Sequence, residues 1–127
     1  MVETDKVWQE PCPSPTGCHD YHHAYGVYLM PIRHHPMVFL EIGLGCNMKY
    51  GIGASVNMWE ALLPNSQIYM ADYDQNCVDG YAPQFYKEGP SDRADRIHFV
   101  TGDQADPTTL REWISATPNG QFDVIID

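Results

Sequence analysis

Short apolar runs alternate along the chain with longer segments of mixed polarity. The runs at 37–42, 68–71, 97–100 and 122–126 have the length of buried strands, and segments with helical spacing of apolar positions separate them. Strands that alternate with helices at this spacing form a parallel sheet with right-handed crossovers. The pattern therefore predicts an α/β fold, a Rossmann-like parallel sheet with flanking helices.

Three helices are predicted between the strands. Ser55 is a suitable N-cap for the first helix, whose apolar positions share one face. The second helix spans about 75–87 and contains Gly80 and Pro83, which both disfavour a helix interior. Asp106 is predicted to cap the third helix, which follows directly.

The first 36 residues differ in character from the rest of the chain. Residues 1–18 are rich in proline and irregular, and aromatic and apolar residues with helical spacing follow between His19 and Met30. We expect 1–36 to form an irregular and helical lid segment. Residues 37–127 are expected to form the α/β domain.

Composition and charge exclude several classes of partner. The chain has 127 residues, 43% of them hydrophobic, which is typical of one globular domain. Its net charge is −10, and its seven basic residues are scattered, so no basic patch is available for nucleic acid. No run of about 18 apolar residues occurs, so no membrane-spanning segment is expected in this chain.

The location in the cell is open. The N-terminus lacks a charged region followed by an apolar region, so no export signal is visible. We expect a cytoplasmic protein by default, with the secretory pathway as the alternative if an upstream signal is missing. The oligomeric state is not predicted by any feature of the sequence.

Four cysteines occur without a CxxC pair. Cys46 and Cys77 fall in the predicted fold and are expected to be buried thiols. Cys12 and Cys18 flank a proline-rich turn and could pair in an oxidising compartment. Together with the histidines that follow, they could also hold zinc, but their spacing matches no standard finger or ribbon. Surface or lid histidines are the favoured interpretation.

The strongest chemical signal lies where the first predicted strand ends. Glu41 belongs to this strand, and Gly43 and Gly45 follow it, just ahead of a helix-like segment. Glycine lets the backbone turn sharply and lets a ligand approach closely. A carboxylate at this place does not help to bind a pyrophosphate, but it attracts a cation. The pattern therefore favours S-adenosylmethionine, which carries an ammonium and a sulfonium, over NAD.

Every predicted strand ends at polar residues. Ligands of parallel sheets bind at the carboxyl ends of the strands. One carboxylate at such an end is usually a helix cap or a solvated turn residue, whereas four in register indicate a site. The four groups are Glu41 with its glycines, Asp72 with Asp74, Asp103 with Gln104, and Asp127.

The order of these residues resembles that of class I S-adenosylmethionine-dependent methyltransferases. The matching elements are Glu41-x-Gly43-x-Gly45, Asp72, Gly102-Asp103-Gln104 and the segment 122–127. Three motifs near the N-terminus resemble those of the sugar and macrolide O-methyltransferase branch. They are Thr4-Asp5-Lys6, His19-x-Tyr21 and the stretch from Tyr28 to Pro31.

The resemblance implies a role for each residue near the first two strands. Glu41 would lie at the methionine end of the cofactor, and Gly43 and Gly45 would let the backbone pass beside it. Asp72 would accept hydrogen bonds from both ribose hydroxyls. Asp74 is the alternative ribose ligand.

The resemblance also implies roles at the third and fourth strands. Asp103 would bind the adenine amino group, with Gln104 beside it. Asp127 would be a ligand of a possible Mg²⁺ ion that faces a small hydroxylated substrate, because a hard cation with oxygen ligands lowers the pKa of a hydroxyl. No catalytic base is identified.

The chain departs from the family at two places. Asn47 occupies the position where the family commonly has a third glycine, and the residues 48–54 that follow are expected to fold over the site. A class I methyltransferase has seven strands, whereas four are predicted here. The resemblance therefore implies the N-terminal half of that fold, truncated after the fourth strand, with little or no activity alone.

Two other functions stay open on the sequence. An NAD-linked oxidoreductase would carry a G-x-G-x-x-G turn, but Met48 stands at the position of its third glycine. A non-catalytic module with a nucleotide-binding fold is the second alternative, and such a module would bind no cofactor.

Overall fold

Helices and strands alternate in the computed structural model, which describes residues 21–49 and 51–127. The helices are α1 (Tyr21–Tyr28), α2 (Ala54–Leu62), α3 (Gln75–Glu88), α4 (Arg93–Arg96) and α5 (Pro107–Ser115), with a 3₁₀ turn at Met30–Ile32. The strands are β1 (Val38–Ile42), β2 (Gln67–Asp72), β3 (Ile97–Thr101) and β4 (Val124–Ile126).

The four strands form one parallel sheet in the order β3-β2-β1-β4. The chain adds β2 and β3 on one side of β1 and then returns to place β4 on its other side. At such a reversal the carboxyl ends of the strands leave a crevice in which ligands bind. The predicted Rossmann-like parallel sheet is confirmed.

Helices cover both faces of the sheet, because successive side chains of each strand point to opposite faces. On one face, Phe39 packs against Trp59 of α2 with ring centroids 4.6 Å apart, and Phe85 of α3 joins the same cluster. On the other face, Leu40 belongs to a smaller cluster with Trp113 of α5. The two layers fix the positions of the strand ends and of the turns that follow them.

Ser55 does not cap α2, so that prediction is wrong. The N-cap is Gly53, which has a φ of 80°, and a Cβ there would lie 2.0 Å from the hydroxyl oxygen of Tyr81. Glycine is the residue that adopts this conformation without strain. The hydroxyl of Ser55, one residue inside the helix that starts at Ala54, donates instead to the carboxylate of Glu41.

The helix α3 continues without a break through Gly80 and Pro83. The carboxylate of Asp74 caps its N-terminus by accepting a hydrogen bond of 3.0 Å from the Cys77 amide. Phe85 anchors the far end in the core. Capping and packing therefore outweigh the low helix propensity of the two interior residues.

We expect Gly80→Ala to raise the free energy of unfolding by about 0.5 to 1 kcal/mol, because alanine loses less backbone entropy than glycine in a helix. Nothing lies within 4 Å of the position that the new Cβ would take. Urea unfolding followed by circular dichroism measures the change. Gly53→Ala is the matched control and should destabilise the chain, because its Cβ would meet Tyr81. Destabilisation by Gly80→Ala would contradict the prediction.

Cys46 and Cys77 form a disulfide, so the prediction that both are buried thiols is wrong. Their Cα atoms lie 6.2 Å apart, and the bond joins the loop after β1 to the first turn of α3. The two positions are 31 residues apart in the sequence and come together only because β1 and β2 are neighbours. Cys12 and Cys18 lie outside the described residues.

Only residues 21–36 of the predicted lid segment are described. The helical spacing is confirmed in part by α1, which ends at Tyr28 before a short 3₁₀ turn. Leu29 is buried, whereas Val27 and Tyr28 are 66% and 73% exposed. The role of this segment as a lid stays a prediction. Within the described part of the chain, no helix has the length and apolar character needed to cross a membrane.

Candidate functional site

A cavity of about 360 Å³ lies at the carboxyl edge of the sheet. This volume falls in the range of small-molecule sites. Its lining comes from the ends of all four strands and from α5, and consists of Ile42, Gly43, Asp72, Tyr73, Gly102, Asp103, Gln104, Trp113 and Asp127. Five residues predicted from the sequence therefore meet here, namely Gly43, Asp72, Asp103, Gln104 and Asp127. Glu41 and Gly45 are not among the lining residues.

The turn after β1 depends on its glycines. Gly43 and Gly45 have φ values of 110° and 90°, a region that residues with a side chain rarely adopt. Nothing lies within 4 Å of the place where a Cβ on Gly43 would stand. The Gly43 amide donates to the carbonyl of Ala71 over 2.7 Å, which ties the turn to β2. A ligand in the cavity can therefore approach the backbone of this turn closely.

Asp72 joins the ends of β1 and β2. One of its carboxylate oxygens accepts a hydrogen bond of 2.9 Å from the Leu44 amide, and the other accepts one of 2.9 Å from the Asp74 amide. Each carboxylate oxygen can accept more than one hydrogen bond. Asp72 can therefore hold the turn in place and still accept bonds from a ligand in the cavity.

Asp74 has a different position from Asp72. Its carboxylate caps α3, and it is not among the residues that line the cavity. Of the two acids proposed from the sequence as ribose ligands, Asp72 is the one that faces the cavity. The geometry therefore favours Asp72 for this role.

The residues after β3 and β4 form the rim of the cavity. Asp103 and Gln104 are exposed, and the carboxylate of Asp103 accepts a hydrogen bond of 2.8 Å from the Ala105 amide. Asp127, after β4, is exposed as well. With Asp72, the lining contains three carboxylates and neither lysine nor arginine. Such a lining attracts cationic groups and hydroxyl donors and repels phosphates.

The described residues do not complete a magnesium site. Within 21–49 and 51–127, no three His, Cys, Asp or Glu side chains are placed so that they could hold one metal ion. Asp127 offers a single carboxylate, whereas Mg²⁺ requires octahedral coordination by oxygen ligands, which waters and substrate often complete. The assignment of Asp127 as a metal ligand stays a prediction.

Glu41 faces α2 rather than the cavity. Burial raises the pKa of its carboxyl above the ordinary value of 4.5, and the hydrogen bond from Ser55 offsets this only in part. The Trp59 indole N–H is near enough to lower this pKa slightly, but it is fully buried and makes no hydrogen bond of good geometry to any described residue. Burial is therefore the largest influence on the pKa of Glu41, and the hydrogen bond from Ser55 is the stronger of the two that oppose it.

We expect Glu41→Gln to reduce the pH dependence of stability. Because the folded-state pKa is raised, the stability linked to the protonated carboxyl is fully present below pH 4.5 and is lost as the pH rises through the raised pKa. Glutamine keeps an acceptor for Ser55 and carries no charge. Urea unfolding at several pH values should show a flatter profile above pH 4.5 for this variant. Glu112→Gln, on the exposed side of α5, should keep the wild-type profile, and equal profiles for all three proteins would refute the prediction.

Two aromatic residues of the cavity were not predicted. Tyr73 follows Asp72 directly and is 77% exposed, which places a large apolar ring at the edge of a polar site. Trp113 is buried, and its indole N–H donates to the carbonyl of Thr101 over 3.0 Å. The sequence position of Tyr73, directly after the acid that ends β2, could have predicted its place at the site. Trp113 had no local signal, because its place depends on how α5 packs over the sheet.

The residues 48–54 were expected to fold over the site. None of the described residues in this range lines the strand-end cavity. Ile52 lines a second cavity of about 530 Å³ between α2 and α3 instead. The amide of Gly53 donates to the carbonyl of Leu44 over 2.9 Å, so a hydrogen bond joins the end of this loop to its start.

The sheet order, the glycine turn after β1 and the acids after β2 and β3 define a Rossmann-like fold of the kind that binds nucleotide cofactors. Solved structures of the MycE methyltransferase from the mycinamycin biosynthetic pathway have this fold, with a TM-score of 0.65. One holds Mg, SAH and mycinamycin VI and is 23% identical in sequence, and another holds Mg and SAH and is 24% identical. They match 99% of this chain, which corresponds to 30% and 28% of theirs.

Curated relatives come from Streptomyces olivaceus. The 8-demethyl-8-(2-methoxy-alpha-L-rhamnosyl)-tetracenomycin-C 3'-O-methyltransferase is 34% identical over 105 residues, or 81% of this chain. The 8-demethyl-8-alpha-L-rhamnosyl tetracenomycin-C 2'-O-methyltransferase is 29% identical over 112 residues, or 87% of this chain. No protein-family profile matches the chain.

The chain spans about a quarter of the length of these curated relatives, 23% and 26%. This partial coverage agrees with the prediction that the chain corresponds to part of a larger methyltransferase fold. The relatives are named O-methyltransferases, which confirms the resemblance to that class of enzyme, and the MycE structures share the fold.

Proposed function

We propose that the chain is the cofactor-binding part of an S-adenosylmethionine-dependent O-methyltransferase. The observation that carries the proposal is the strand-end cavity, which has three carboxylates, no basic side chain and a glycine turn at its edge. The three carboxylates make the potential of the cavity negative, which favours a cationic cofactor such as S-adenosylmethionine and disfavours the anionic pyrophosphate of NAD. The relatives and the MycE structures support the same cofactor class.

Each part of the cofactor has a proposed partner on the chain. Asp72 accepts hydrogen bonds from the two ribose hydroxyls. Asp103 and Gln104 lie on the adenine side, where the exposed ring of Tyr73 offers a stacking surface. Glu41, two positions before Gly43, is the proposed counter-charge for the methionine ammonium. Because its carboxylate is bonded to Ser55 and does not line the cavity, this role requires the side chain to turn when the cofactor binds.

The proposed acceptor is a hydroxyl group of a small glycosylated molecule. The names of the relatives specify hydroxyls of a rhamnosyl group on tetracenomycin, and one MycE structure holds mycinamycin VI. In this reaction the hydroxyl oxygen attacks the methyl carbon, the sulfonium leaves as a neutral thioether, and the hydroxyl proton passes to a base. The described residues supply the binding and orientation of the cofactor.

Calorimetric titration of the purified chain tests the proposal. We expect S-adenosylmethionine to bind with a Kd of about 1 to 100 μM and NAD to show no heat of binding, with circular dichroism recording that the chain is folded. A folded chain that binds NAD alone would support the oxidoreductase alternative. A folded chain that binds neither ligand would support the non-catalytic module, and both results contradict the proposal.

A further inference from the structure

The disulfide between Cys46 and Cys77 connects the glycine loop after β1 to the first turn of α3, which follows the strand end that carries Asp72. Cys46 follows Gly45 directly, and Cys77 lies five positions after Asp72, in the first turn of α3. Neither cysteine lines the strand-end cavity. The bond therefore acts on the positions of the loops rather than through contact with a ligand.

Apart from the burial of Leu44 in the core, the described residues of the glycine loop have few hydrogen bonds to the rest of the fold. The amides of Gly43 and Leu44 are bonded to Ala71 and Asp72 at the start of the loop. Beyond them, the hydrogen bonds found for the described residues among 46–52 run only to other residues of this loop, such as the bond from the Met48 amide to the carbonyl of Gly45. The disulfide is thus the covalent link that holds the middle of the loop against α3.

The disulfide is also open to chemical attack. Cys77 lines the second cavity, of about 530 Å³, together with Ile52 and Gly80. Both cysteines are only partly buried. A thiolate can therefore reach the bond through the second cavity, which shares no lining residue with the strand-end cavity.

We propose that the Cys46–Cys77 disulfide is a redox-controlled clamp on the cofactor turn, an inference that rests on the proposed function. In the oxidised chain the turn is ordered before the cofactor arrives, so that binding does not bear the entropy cost of ordering it. In the reduced chain the middle of the loop is released and the affinity for the cofactor falls.

The switching reaction is thiol–disulfide exchange with a dithiol. One thiolate of the dithiol attacks a sulfur of the bond and forms a mixed disulfide, and the second thiolate then displaces the protein sulfur. Two electrons and two protons pass to the protein. Cys46 and Cys77 become thiols, and the dithiol becomes a disulfide.

The test uses the whole chain with Cys12→Ser and Cys18→Ser, so that only one pair of cysteines can respond. S-adenosylhomocysteine is titrated into the oxidised protein and into protein reduced with dithiothreitol, and mass spectrometry counts the free thiols. We expect the reduced form to bind at least about tenfold more weakly, and the affinity to return after oxidation with glutathione disulfide. Equal affinities of the two forms would overturn the clamp and leave the proposed function intact.

A second variant and a second measurement separate the redox clamp from the proposed function. Adding Cys46→Ser and Cys77→Ser to the same background should give the affinity of the reduced form, with no response to dithiothreitol. Hydrogen exchange of residues 44–53 without any ligand should be faster after reduction. If neither redox form binds S-adenosylhomocysteine, the proposed function fails. The exchange rates of residues 44–53 then test on their own whether the disulfide orders the loop. Equal exchange rates, or free thiols in the air-oxidised protein, would overturn it.

Discussion

Asp72→Ala should weaken the binding of S-adenosylmethionine by at least about 100-fold. Two hydrogen bonds from the ribose to a charged acceptor are lost, at about 1.5 kcal/mol or more each. The Leu44 and Asp74 amides lose their acceptor at the same time, so the turn after β1 loosens as well. Calorimetric titration gives the change in Kd, and circular dichroism shows that the variant is folded.

Asn substitutions at both candidate acids give the matched comparison. Asp72→Asn replaces one oxygen by an NH₂ group that faces a backbone N–H donor, so it should weaken cofactor binding strongly. Asp74→Asn keeps a good N-cap for α3 and should leave the Kd within about threefold of the wild type. An effect of Asp74→Asn as large as that of Asp72→Asn would contradict the assignment of the ribose to Asp72.

Loss of the Cys46–Cys77 disulfide should lower the free energy of unfolding by about 3 to 4 kcal/mol. The bond closes a loop with a sequence separation of 31 residues, and removing it restores the entropy of that loop in the unfolded chain. A loss of this size lowers the Tm by roughly 10 to 15 °C for a chain of this length. The measurement compares Cys46→Ser/Cys77→Ser with its parent, both carrying Cys12→Ser and Cys18→Ser, by scanning calorimetry without ligand.

Reduction of the parent protein is the control for the serine substitutions. It should produce the same fall in Tm without any change of side-chain volume. A fall of less than about 3 °C in both experiments would show that the bond contributes little to the stability of the chain. That result would also weaken the case for a clamp on the glycine loop.

Much of the fold follows from local patterns in the sequence. Each strand is a short apolar run, and each run is confirmed as a member of one parallel sheet. The cap at Asp106 is confirmed as well, because its carboxylate accepts a bond from the Thr108 amide. The positions of the strands and of the cap depend on residues close together in the chain, and local physical chemistry determines them.

The errors arise where distant residues meet. Ser55 has the right chemistry for an N-cap, but its hydroxyl donates to the partly buried carboxylate of Glu41, and Gly53 adopts the conformation of the cap. The disulfide joins Cys46 to Cys77 only after β1 and β2 have paired. A propensity assigned to single positions contains no information about such partners.

The site was predictable in outline because parallel strands place their carboxyl ends together. Asp72 is the last residue of β2, and Asp103 and Asp127 follow β3 and β4, so the topology alone brings them to one edge of the sheet. Trp113 completes the cavity from α5, and its position depends on the packing of that helix over Leu40 and its neighbours. The residues at the strand ends can therefore be predicted from the sequence, whereas a residue such as Trp113 that reaches the cavity through helix packing cannot.

A crystal structure of the chain with S-adenosylhomocysteine is the most direct test of the proposed site. We expect the ligand in the cavity of about 360 Å³, with both ribose hydroxyls within hydrogen-bonding distance of the Asp72 carboxylate and the adenine beside Tyr73 and Asp103. S-adenosylhomocysteine bound in the cavity of about 530 Å³ between α2 and α3, with the strand ends empty, would contradict it.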